Sequence, residues 1–126
     1  MFETRDDVVR QLTAIHKAYA TNLPQELERI EEAWRTAVRG GTTGSAYTRL
    51  VELVHGLAGS GATFGFSALS DAARVLLVML TGLQSTEGPL TRELRMQIER
   101  LLEQLVAASR EATESAPPFA CLFSDL

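Results

Sequence analysis

At 126 residues, with 45% hydrophobic residues and a net charge of −4, the chain has the size and composition of one globular domain that buries its own core. The acidic balance and the lack of any basic block argue against a nucleic-acid binder, and the longest purely apolar run, residues 75–80, falls far short of the ~20 residues of a membrane span. One cysteine, Cys121, forms no internal disulfide and suits a reducing cytoplasm; with two histidines it does not make a structural zinc site. Met1 is followed by Glu3, Asp6 and Asp7 rather than by a basic and then apolar region, so no export signal is expected.

Helix signals follow one another along the chain, and strand signals are almost absent. Thr4 with Asp7 reads as an N-cap pair, opening a helix that ends near residue 19 or 20. Asn22-Leu23-Pro24 then starts a second helix, since proline is tolerated in a first turn. Leu27, Ile30, Ala33, Trp34 and Ala37 recur at spacings of three and four and give it one apolar face. Gly40-Gly41 stops it, and 42–45 is a short polar loop. The third helix is expected over 45–61, residues 62–65 turn the chain, and Ser67 caps a fourth helix over 68–80. That helix is unusually apolar (Leu69, Ala72, Ala73, Val75, Leu76, Leu77, Val78, Met79, Leu80), which predicts a central place in the bundle.

Gly82 and residues 84–88 form a loop, and Pro89 opens a fifth helix with Leu90, Leu94, Ile98, Leu101, Leu102, Leu105 and Val106 along one side. Residues 115–126 break the pattern with Pro117-Pro118 and then Phe119, Leu122 and Phe123. This tail either packs on the bundle or links it to a further domain. Short loops favour antiparallel neighbours. The expected fold is all-α, an up-down antiparallel four-helix bundle with an additional N-terminal helix, over residues 1–114.

His55 is the residue that asks for a function. With Val54 at zero and ~100° per residue, Leu50, Val51, Leu57, Ala58 and Gly61 fall within about 60° and form the buried stripe. His55 sits at about 100°, on the shoulder of that stripe, with Thr48, Gly59 and Glu52 further round, between about 120° and 160°. Residues four apart stack on one face, so Gly59 leaves a dent beside the imidazole. A helix-interior glycine costs roughly 1 kcal/mol relative to alanine, so its place there needs a reason.

A neutral imidazole at a solvent edge keeps one ring nitrogen as a nucleophile, and such a site needs access more than it needs a pocket. No Gly-x-x-x-x-Gly-Lys loop or acidic metal motif accompanies it, so neither ATP, metal nor another cofactor is expected on this chain. A lone histidine on a helix shoulder is more often an ordinary surface residue; the glycine one turn on sets His55 apart. His16 lacks that neighbour and reads as a surface or boundary residue, Trp34 and Met79 read as core, and the acidic run Glu26, Glu28, Glu31, Glu32 reads as a solvated face.

The run His55-Gly56-Leu57-Ala58-Gly59-Ser60-Gly61-Ala62-Thr63-Phe64-Gly65 resembles the phosphoacceptor motif of histidine-containing phosphotransfer domains, in which His-x-x-x-Gly-Ser leads into a small-residue turn. The match extends through Leu69-Ser70-x-x-Ala73. The resemblance implies a four-helix up-down bundle with His55 as phosphoacceptor. It also implies that Gly59 clears space for a receiver domain, that Ser60 helps order the site, and that Phe64 and Gly65 shape the turn. Two positions depart from the family: Ala58 stands where lysine is common, and Leu77 where many members have a polar residue that orients the imidazole. Arg74, one turn before Leu77, is the candidate to supply charge.

The function expected on this basis is a phosphotransfer module of a multistep two-component relay. It would accept phosphate on His55 from one receiver aspartate and pass it to another, without kinase activity of its own. Thr48, Glu52, Gly56 and Arg74 are the candidate docking residues. The expected partners are response-regulator receiver domains and a hybrid sensor kinase, with the chain itself a cytoplasmic monomer. Two other readings remain: an interaction module that binds such partners without phosphate chemistry, and a bundle that self-associates through Phe119, Leu122 and Phe123.

Overall fold

In the computed structural model, which describes residues 5–84 and 90–114, the chain forms four helices: α1 (Arg5–Gly40), α2 (Ser45–Thr63), α3 (Ser67–Gln84) and α4 (Arg92–Glu114). The separate N-terminal helix expected from Asn22-Leu23-Pro24 is not a separate element, because α1 runs unbroken for 36 residues with Pro24 inside it. Proline removes one backbone hydrogen bond and costs about 3 kcal/mol in a helix interior. The apolar stripe does not stop there, however: Tyr19 and Ala20 are half-buried, and Leu23, Leu27, Ile30, Trp34 and Ala37 are buried. Leu23 and Leu27 flank the proline, and burying each contributes roughly 1.5–3 kcal/mol. Pro24 itself is exposed, so its ring does not crowd the core.

His16 also departs from expectation. It is only 4% exposed, and its ring lies 4.2 Å from that of Phe66 at an interplanar angle of 31°. A helix ending near residue 20 would have left His16 at a frayed edge; the continuous α1 carries it onto the turn between α2 and α3.

The helix ends follow local chemistry. Gly41, at φ 74°, closes α1, its N–H donating to the Ala37 carbonyl at 2.9 Å. At the end of α2 the Phe66 N–H donates to Gly61 O at 2.7 Å and the Gly65 N–H to Ala62 O at 3.2 Å. Gly65, at φ 85°, takes the left-handed position that this Schellman arrangement requires. Ser67 is the first residue of α3 rather than the cap before it, and the preceding Phe66 carbonyl accepts from Ser70 N at 2.9 Å. The helix runs on to Gln84, four residues past the expected end. The last helix begins at Arg92 instead of Pro89, because Thr91 caps it: Leu94 N donates to Thr91 Oγ1 at 3.2 Å and Arg95 N to Thr91 O at 3.0 Å. Thr4, the loop residues 85–88, Pro89 and the tail with Phe119, Leu122 and Phe123 lie outside the described residues.

α2 packs on α1 and α3, and α4 packs on α3 and closes the ring against α1. The core between them is built from Leu23, Ile30, Tyr47, Leu50, Val54, Leu69, Leu76, Leu80, Ile98 and Leu105, all essentially inaccessible. Tyr47 donates its hydroxyl to Leu80 O at 2.6 Å, and burial pushes its pKa up to about 12. α3 is not the central helix that its composition suggested. It takes one side of the ring and leaves Val75 55% and Val78 71% exposed on its outer face.

Candidate functional site

The middle of α2 is held by its buried stripe, Tyr47, Leu50, Val54, Leu57, Ala58 and Gly61, which leaves His55 exposed on the shoulder where the projection put it. Gly56 and Gly59 are exposed beside it, and a Cβ added at either would meet nothing within 4 Å. Gly61 differs, because a Cβ there would lie 3.3 Å from Ser70 N and 3.5 Å from Phe66 O. Gly61 lets α3 approach α2, whereas among the described residues nothing packs where a side chain at Gly56 or Gly59 would stand. Their effect is to leave bare backbone on the outer side of the imidazole.

Ser60 lies on the other side of α2. Its hydroxyl shares a 2.8 Å hydrogen bond with the Tyr19 hydroxyl and lies 3.4 Å from Leu57 O. Tyr19 in turn stacks on Phe64 at 4.6 Å and on Phe66 at 5.3 Å. Its pKa is raised, chiefly by burial and further by Glu26, against the lowering effect of the Ser60 bond. Ser60 thus clamps α2 to α1 and orders the helix that carries His55 without facing the imidazole.

The register of α2 and α3 is set by Ser70, which donates its hydroxyl to Ala58 O at 2.7 Å, and by the Tyr47–Leu80 bond. One turn from Ser70 toward Leu80 is Arg74, and three residues from Ala58 toward Tyr47 is His55. Arg74 therefore stands level with His55 along this seam. It projects about 40° outside Ser70, as His55 projects about 60° outside Ala58, and both are exposed. Val78, a further 40° round from Arg74, is exposed on the outer side of the same seam.

The candidate docking residues divide between two sides of α2. Thr48, two turns before His55, shares its flank and bonds back to Gly44 O at 3.5 Å. Glu52 and Gly56 instead line a groove of about 450 Å³ between α1 and α2, together with Tyr19, Asn22, Glu26 and Ser60. Ala58 is buried, and its carbonyl accepts from Ser70 of α3, so a lysine there would have to thread outward past the seam. Leu77 is half-buried and packs on the core. Sequence reasoning missed Tyr19, Gly61 and Phe66 as the parts that hold the site. The four-residue spacing of Tyr19, Leu23 and Leu27, continuous across Pro24, was the available signal.

Among the described residues no group of three or more His, Cys, Asp or Glu side chains could hold a metal, and no helix is long and apolar enough to cross a membrane. The family model of the Hpt domain matches residues 14–108, from the first half of α1 into α4. No curated protein and no solved structure matches the chain.

Proposed function

The chain belongs to the Hpt domain family, whose members carry phosphoryl groups in two-component signalling, and from that premise we propose that it is a multistep-relay carrier with His55 as its phosphoacceptor. One observation carries the assignment: of the chain's two histidines, His16 is buried and His55 is exposed, beside two glycines whose side-chain space is open. A ring nitrogen of neutral His55 attacks the phosphorus of a receiver's aspartyl phosphate. The P–N bond forms as the P–O bond breaks, and the aspartate leaves with the electron pair. Transfer to a second receiver runs the same exchange in reverse, with its carboxylate as nucleophile. Phosphate donor and divalent cation both belong to the receiver, and the chain needs no kinase chemistry of its own.

Arg74, level with His55, offsets the phosphoryl charge in place of a lysine at position 58. The exposed Val78, with the bare backbone at Gly56 and Gly59, fits a receiver face that excludes water around the transferring group. The α2–α3 register supports an up-down course for the bundle, and the single Cys121 supports a cytoplasmic setting.

A second reading, an interaction module that binds receivers or a kinase without phosphate chemistry, is favoured by Ala58 and by the apolar Leu77. Phosphorylated receiver domains mixed with the wild type and with His55→Gln separate the two. Acid-labile label on the wild type alone supports the carrier. Binding without label, unchanged by His55→Gln, supports the interaction module.

A further inference from the structure

An imidazole offers one ring nitrogen to phosphorus, and which one it offers is set by the hydrogen bond that the other makes. In a helix a side chain leans back over the residues three and four positions before it. For His55 these are Glu52 and Val51, and the residues three and four after it are Ala58 and Gly59. Across the seam stand Arg74, whose guanidinium only donates, and Leu77, half-buried and apolar. Glu52 is the one acceptor among these side chains.

We infer, resting on the reading of His55 as acceptor, that Glu52 is a positioning residue whose carboxylate accepts the Nδ1–H of His55 and leaves Nε2 as the nucleophile. Glu52 stands on the rim of the α1–α2 groove, about 60° round the helix from His55 and about 4.5 Å along it. Side chains at this spacing are neighbours, their Cβ atoms about 5–6 Å apart. Both residues are exposed, and among the described residues neither makes a hydrogen bond or ion pair. The carboxylate is thus uncommitted, and a turn of its own side chain closes the contact. The same spacing is already closed twice in α1, where Asp7 meets Arg10 and Glu26 meets Arg29, each at 2.9 Å with the carboxylate three residues before the donor. Arg49, three residues before Glu52, lines a different groove with Arg29 and Ser45. Glu26, across the groove on α1, is held by Arg29. Gly56 and Gly59 place no side chain between Glu52 and the imidazole. As the P–N bond forms at Nε2 the ring gains positive charge and keeps its proton on Nδ1. A carboxylate on that proton therefore stabilises the phosphorylated ring more than the neutral one. When the P–N bond breaks toward a second receiver, the electron pair returns to Nε2 and the proton stays where it was.

Long-range proton–nitrogen correlation spectra of the 126-residue chain, taken at about pH 9 where imidazole is neutral, read the His55 tautomer with no receiver present. The ratio of Nδ1–H to Nε2–H should be about 1.5- to 2-fold higher in the wild type than in Glu52→Ala, as expected of an exposed pair at this spacing. Glu52→Gln keeps an acceptor oxygen and should recover part of the difference. In transfer from a phosphorylated receiver, Glu52→Ala should lower the maximal rate of His55 labelling about 2- to 10-fold, less than a buried charged bond would give. The receiver concentration at half-maximal rate should change little. A tautomer ratio identical in wild type, Glu52→Ala and Glu52→Gln overturns the inference. So does a loss confined to the half-maximal concentration, which marks Glu52 as a docking residue only. The tautomer reading needs no phosphate, so its failure is separable from a failure of the carrier assignment, which shows as absent label on the wild type.

Discussion

Gly59 and Gly61 occupy the same helix for opposite reasons. A Cβ at position 59 meets nothing, so Gly59→Ala should stabilise the fold by about 0.5–1 kcal/mol in urea denaturation. A bulky side chain at the same position should abolish receiver binding without lowering helicity. Gly61→Ala should destabilise, because Ser70 N and Phe66 O already stand within 3.5 Å of the new atom. Arg74→Ala should slow labelling of His55 by roughly 10- to 100-fold, the worth of a charge-assisted contact, while receiver affinity changes little. At His16, burial holds the imidazole pKa below its usual 6.5. The neutral form is the one that fits the fold, so its contribution is fully present above pH 6.5 and is lost as pH falls through the folded-state value. Urea midpoints of the wild type should fall over that window more steeply than those of His16→Leu.

At the scale of the helix, Pro24 is the position where local and tertiary signals disagree. Pro24→Ala should raise stability by about 1–3 kcal/mol, the regained hydrogen bond being partly offset by a freer unfolded chain. Helix ends set by backbone chemistry were largely legible in the sequence, because glycine at positive φ is a local requirement: Gly40-Gly41 closes α1 and Gly65 turns the chain after α2, although α2 runs to Thr63, two residues past the expected end. The continuity of α1 was not legible, since Asn22-Leu23-Pro24 reads as a start signal and only packing against the other helices overrides it. The place of α3 was misjudged for a related reason. Nine apolar residues suggest burial all round, yet Val75 and Val78 face outward, and composition does not distinguish a core face from a docking face.

For the molecule as a whole, the proposed carrier role makes the seam between α2 and α3 the working surface, and not the opposite seam between α1 and α4. Chemical shift changes on titration with a receiver should cluster at Thr48, His55, Gly59, Arg74 and Val78. They should leave Glu31, Glu103 and Arg110, which line a separate groove between α1 and α4, unmoved. The proposed acceptor was legible because an imidazole, a glycine one turn on and a small-residue turn are all encoded within eleven consecutive positions, 55–65. Its supports were not, because Tyr19 lies 41 residues from Ser60 and no local pattern joins them.

The Ser70–Ala58 bond spans only 12 residues, whereas Leu23 and Thr113 come together from nearly opposite ends of the chain. Closing a short loop costs less chain entropy than closing a long one, and local pairings form sooner. The α2–α3 hairpin is therefore the natural nucleus of folding, and the α1–α4 seam is the last to close and the first to open. During synthesis, the pair of helices that presents His55 can assemble before α4 has left the ribosome.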